Sequence, residues 1–151
     1  MFPMDFLTDW SRAEKEERAR YLLDKVNVKD SEDKYPDELS GGMQKRVGIA
    51  RAIALNPTFL FCDEPNSGLD PETAIVIDHL ISSLTKELGI TTIMNTHDLN
   101  SIMEIGDNIG FLYKGEIIWQ GDRHSILSAE CPQLREFLCS NTLARNIIEK
   151  R

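Results

Sequence analysis

Ser40, Gly41 and Gly42 set a hydroxyl and two residues without a Cβ directly before an apolar-periodic segment. That arrangement presents backbone N–H groups and the positive end of a helix dipole to an anion. Taken alone, the triplet is more often a plain serine cap followed by flexible glycines. Asp63 and Glu64 follow the apolar run from Thr58 to Cys62. Carboxylates at the end of a strand can serve chemistry or simply sit in solvent, and two residues do not decide between these. Ser67-Gly68-Leu69-Asp70 comes next, with Asp70 also placed as an ordinary helix N-cap. His97 stands between a second apolar run and Asp98, where an isolated histidine is usually structural or on the surface. The sequence contains no Gly-x-x-x-x-Gly-Lys-[Ser/Thr] phosphate loop.

The elements that position these residues follow from periodicity and caps. Ser11 and Glu14 have capping-box spacing, and Ala19, Leu22, Leu23 and Val26 recur at helical intervals, which predicts a helix from Arg12 to Val26. Lys29 to Glu38 is charged, contains Pro36 and is expected as a surface loop. Ser40 caps a second helix to Leu55 with Met43, Val47, Ala50 and Ala54 on its apolar face, and Asn56-Pro57 stops it. Thr58 to Cys62 is continuously apolar, as in a strand covered on both faces. Asp70 and Pro71 open a third helix whose stripe is Ile77, Leu80, Ile81, Leu84 and Leu88, and Gly89 closes it. Ile90 to Met94 is the next strand, completing a right-handed parallel βαβ unit. Asp98 caps a short helix ended by Gly106. Ile109–Tyr113 and Glu116–Gln120 form a hairpin through Lys114-Gly115, and Gln133 to Ile148 is expected as helix.

Composition narrows the classes. The chain has 151 residues, 41% apolar and 28% charged, the make-up of one soluble globular domain. Its longest apolar stretches, of about five residues, fall far short of the roughly 18 that cross a bilayer. The opening MFPMDFLTDW has no basic segment of a secretory signal. A net charge of −8 argues against nucleic acid as the main ligand but not against ATP, which is bound locally. Cys62, Cys131 and Cys139 are odd in number and lack metal-ligand spacing, so reduced thiols in a cytosolic protein are expected.

LSGGMQKR (39–46), FLFCDEP (59–65), SGLD (67–70) and THD (96–98), in this order and spacing, resemble the second half of the nucleotide-binding domain of an ATP-binding-cassette (ABC) ATPase. NVKDSEDKYPDELSGG and GDNIGFLYKGEIIWQG are also family-like. The opening segment and LYKGEIIWQG most resemble ATPases of bacterial phospholipid-trafficking, lipid-asymmetry transporters. Asn66 stands where many family members carry Thr. The resemblance implies an α/β, partial P-loop NTPase fold: a mainly parallel sheet with flanking helices, a C-terminal β-hairpin and a helix. It implies one domain with a signature-helix region at 1–57, a core at 58–108 and the hairpin and helix at 109–151.

By the same resemblance, Ser40, Gly41 and Gly42 contact the γ-phosphate of an ATP held by a partner subunit. Asp63 associates with Mg, Glu64 is the general base, Ser67, Gly68 and Asp70 form the D-loop, and His97 contacts the γ-phosphate. The implied ligands are ATP and Mg. The implied partners are a second ATPase subunit, arranged head to tail, and transmembrane permease subunits, with no nucleic acid. The implied location is cytoplasmic, peripheral to the inner membrane through the permease. Met1 falls where the family has an internal methionine; without the phosphate loop, whose amides and Lys hold the phosphates, the chain is expected to act as a fragment, inactive and a weak ATP binder alone. The family's phosphate-loop strand lies between Ile90–Met94 and Ile109–Tyr113. Its absence predicts an unpaired edge and self-association. Two alternatives are a non-catalytic module derived from an ABC ATPase and the C-terminal half of a split chromosome-maintenance or DNA-repair ATPase head. The latter would place long coiled coil before the signature, and only 38 residues precede Leu39.

Overall fold

The computed structural model describes residues 2–140 and Arg145. The chain divides into two compact units, one ending at Thr96 and the other beginning at His97.

The first unit contains α1 (Phe2–Leu7), α2 (Arg12–Lys25), a 3-10 turn (Pro36–Glu38), α3 (Gly41–Ala52), β1 (Phe59–Asp63), α4 (Pro71–Leu88) and β2 (Thr91–Asn95). Ser11 caps α2 in a full capping box with Glu14, as its spacing predicts. Helix α1 was not foreseen. It buries Met4, and the Thr8 hydroxyl donates to the Met4 carbonyl at 2.7 Å. Strands β1 and β2 pair in parallel, with Phe59 opposite Thr91 and Asp63 opposite Asn95, and α4 is the crossover between them. The core joins Leu22 and Val26 of the α2 region, Ile49, Ala50 and Ile53 around α3, Leu60 of β1, and Ile77, Ile81 and Leu84 of α4. Lys25 and Glu87 form an ion pair linking α2 to α4.

One expectation is corrected here. β1 is not covered on both faces. Leu60 is 3% exposed and points into the core, but Phe59 is 55% and Phe61 71% exposed, and Ile93 of β2, opposite Phe61, is 52% exposed. Side chains alternate along a strand, and α2, α3 and α4 pack on one face of the pair only. An unbroken apolar run therefore marks two faces that can be buried, not two that are.

The second unit contains α5 (Leu99–Ile105), β3 (Ile109–Tyr113), β4 (Glu116–Gly121), a 3-10 turn (Ile126–Ser128) and α6 (Pro132–Cys139). Leu99, Ile126, Leu134 and Leu138 form its core. Lys114 and Gly115 have φ of 49° and 87°, the two positive values a two-residue type I′ hairpin demands. A bulge lies between Phe111, opposite Trp119, and Leu112, opposite Ile117. The Arg123 guanidinium donates to the Glu104 carbonyl and to Asp107, both at 2.8 Å, tying the segment after β4 to the end of α5. The expected helix to Ile148 is seen as α6, and its part beyond residue 140 lies outside the described residues, Arg145 excepted.

Among the described residues, β2 pairs only with β1 and β3 only with β4, so the two strands expected to flank another belong to separate sheets. No described helix is long and apolar enough to cross a membrane.

Candidate functional site

Ser40 is exposed, has extended backbone and accepts a hydrogen bond from the Met43 N–H at 3.3 Å, so it is a true N-cap of α3. Gly41 is exposed and Gly42 buried. A Cβ on Gly42 would lie 2.6 Å from Cγ2 of Thr73, whereas one on Gly41 would meet Leu69 at an ordinary 3.6 Å. The second glycine thus has a structural cause: it lets the first turn of α3 pass close to the first turn of α4.

That turn of α4 is fixed by Asp70. Its carboxylate accepts from the Thr73 hydroxyl at 2.6 Å and the Thr73 N–H at 3.0 Å. These bonds, the hydroxyl's first, hold the Asp70 carboxyl below the usual carboxylate range. Ser67 and Gly68 are exposed on the loop between β1 and α4. Behind that loop, Asn66 is buried and its amide donates to both oxygens of buried Asp78 on α4 at 3.3 and 3.4 Å. The departure from threonine at 66 therefore keeps a polar anchor for the loop.

Asp63 ends β1, exposed, and the Asn95 amide donates to its Oδ1 at 2.7 Å. Glu64 is half-buried, with φ of 46°. Its N–H donates to the Asn95 carbonyl at 2.9 Å, and its own carbonyl accepts from the Ser67 N–H at 3.2 Å and from Lys45 Nζ at 3.3 Å. Burial pushes the neighbouring Cys62 thiol up, as expected of an unreactive reduced cysteine.

The first unit thus gathers the α3 N-terminus, the Asp63–Glu64 corner and the loop to Asp70. His97 is exposed and opens the second unit, just before Asp98, whose side chain caps α5 by accepting from the Asn100 N–H at 2.9 Å. Lys45, Asn95 and Asp78 are contributors that sequence reasoning missed. The available signals were an amide closing the apolar run TTIMN and an acid inside the apolar stripe of α4.

Comparisons with known proteins bear on the family and the fold. Residues 3–67 match the family model described as ABC transporter. The chain is 44% identical over 122 residues to the methionine import ATP-binding protein MetN 1 of Shouchella clausii, covering 81% of this chain and 35% of that protein. It is 35% identical over 137 residues to the probable ribonucleotide transport ATP-binding protein mkl of Mycobacterium leprae, covering 91% and 40%. The crystal structure of the ADP conformation of MJ1267, an ATP-binding cassette of an ABC transporter, superposes with a TM-score of 0.76 at 28% identity, covering 93% of this chain and 56% of that one. The fold is that of an ABC ATPase domain. A second MJ1267 structure, at 30% identity, gives 0.73 over 87% of this chain and 53% of that one. In sequence and fold the chain is similar to part of an ABC transporter ATP-binding domain, and it spans well under half the length of the two curated relatives. The expected kinship with lipid-trafficking ATPases finds no support in these relatives, which are named for methionine and ribonucleotide transport.

Proposed function

We propose that this chain carries the signature and water-activating parts of the ATP-hydrolysing subunit of an ABC transporter. The observation that supports it best is the convergence within one unit of the Ser40–Gly42 turn with the Asp63–Glu64 corner and the loop that follows it, which lie well downstream in sequence. Gly42 abuts Thr73, Lys45 reaches Glu64, and Asp70 caps the helix on which Thr73 lies.

In this reading the N–H groups of the α3 N-terminus and the Ser40 hydroxyl face the γ-phosphate of an ATP held by a second subunit, whose phosphate loop grips the nucleotide. Glu64 serves the other ATP, the one at its own subunit's site: it accepts a proton from water as the water oxygen bonds to that ATP's γ-phosphorus and the bond to the departing ADP oxygen breaks. Exposed Ser67, Gly68 and Asp70 face the partner subunit. The γ-phosphate role of His97, which belongs to the other unit, rests on the motif order alone. Asp63 suits Mg: it offers a hard carboxylate oxygen, with Asn95 occupying its other side. Mg takes one or two carboxylates and completes its shell with phosphate and water, which a single exposed aspartate can serve. Bound there, the metal would offset phosphate charge.

The partners in this proposal are a second ATPase subunit and membrane permease subunits, with the chain on the cytoplasmic side. Cargo is a finer matter. The lipid reading rests on the opening segment and LYKGEIIWQG alone, while the relatives' names point to methionine or ribonucleotide, so the proposal stops at transport coupled to ATP hydrolysis.

Ser40→Asp tests it. Aspartate caps a helix as well as serine, so the thermal midpoint should hold, while its charge repels the incoming phosphate. In a longer polypeptide where this sequence follows a phosphate-loop segment, ATP turnover should fall by about a hundredfold or more. Wild-type turnover in a normally folded Ser40→Asp protein would contradict the placement of the phosphate.

A further inference from the structure

We infer that Lys45 is a positioning residue for Glu64, acting through the Glu64 backbone carbonyl; this rests on the reading of Glu64 as the base. Glu64 is a long, non-glycine residue with φ of 46°. L-residues avoid that region because Cβ crowds the carbonyl oxygen, and such a conformation persists where its surroundings over-determine it.

The surroundings do so here. The Glu64 N–H is held by the Asn95 carbonyl at 2.9 Å, and its carbonyl by the Ser67 N–H at 3.2 Å and Lys45 Nζ at 3.3 Å. The first two are backbone bonds that survive any side-chain change. Lys45 contributes a charge-assisted bond from a half-buried side chain 19 residues away in sequence.

Direction matters for a base, which must lie within hydrogen-bond reach of the water it deprotonates. If φ at residue 64 relaxed to a negative value, the carboxylate would swing away from its present heading. Lys45 is four residues beyond Gly41 on α3, hence on the same helix face. The helix that presents the Ser40–Gly42 turn therefore also grips the backbone of the base.

The test is amide hydrogen exchange on residues 1–151 with Lys45→Met, which keeps the apolar stem and removes the ammonium. Exchange at Glu64 and Ser67 should quicken by about fivefold, the equivalent of one ordinary hydrogen bond. Exchange at Ile77, Ile81 and Leu84 and the thermal midpoint should hold, and Lys45→Arg should restore protection. In the longer polypeptide with a phosphate-loop segment, Lys45→Met should lower kcat about tenfold and leave KM for ATP unchanged. Unchanged exchange at Glu64 and Ser67 would overturn the inference, as would a rise in KM with kcat intact. Should Lys45→Met fail to fold, Lys45→Gln carries the same readouts. Wild-type turnover by Glu64→Gln would remove Glu64 as the base, yet the exchange result would still decide whether Lys45 holds its backbone.

Discussion

Gly42 and Gly41 are neighbours with different reasons to lack a side chain. A methyl on Gly42 would press on Thr73 Cγ2 at 2.6 Å, and threonine is too short and too stiff at χ1 to swing clear. Gly42→Ala should therefore cost about 1–3 kcal/mol in urea unfolding, and Gly41→Ala should stay within about 0.5 kcal/mol of the parent. Equal effects of the two changes would mean that α3 and α4 do not approach as described. At this scale the sequence was legible where chemistry is local: Ser40, Asp70 and Asp98 are caps, as their neighbours announce. It was silent on Lys45 reaching Glu64 and on Asn95 reaching Asp63. Those bonds join residues 19 and 32 apart, and only the folded chain brings them together.

At the scale of elements, α4 holds the loop from Glu64 to Asp70 against the core. Its stripe of Ile77, Leu80, Ile81 and Leu84 is buried as periodicity requires, and its first turn depends on Asp70. The folded pKa of Asp70 lies below its unfolded value of about 3.9. Its cap therefore stabilises fully above that pH and is lost as pH falls through the depressed folded value. Asp70→Asn, which caps without titrating, should leave stability near neutrality almost unchanged and flatten its decline below about pH 4 in urea melts across pH. An unaltered acid limb would show that the carboxylate is not the stabilising form. Helix boundaries were legible to within a few residues because caps and breakers are short-range. Helix α1 was missed because its six residues give no periodicity to read. The open face of β1 was missed because Phe59 and Phe61 look no different from Leu60 until the helical layer takes its side.

Across the whole molecule, the fold class was the most legible property and the cover of the sheet the least. Four motifs in order, separated by capped helices, imply the ABC ATPase fold whatever lies around them. The apolar face of Phe59, Phe61 and Ile93, on a sheet of two strands, is of a kind that partners usually cover. The functional account stands or falls on Glu64, the residue that the first unit holds in left-handed backbone between Asn95, Ser67 and Lys45. Glutamine in its place keeps the shape and the hydrogen-bonding side chain but cannot take a proton. The decisive measurement is single-turnover ATP hydrolysis by Glu64→Gln in the longer polypeptide, with bound nucleotide identified chemically. The account predicts hydrolysis slowed by about a hundredfold to ten-thousandfold and intact ATP trapped in a dimer. Hydrolysis at the wild-type rate, with ADP bound, would contradict it.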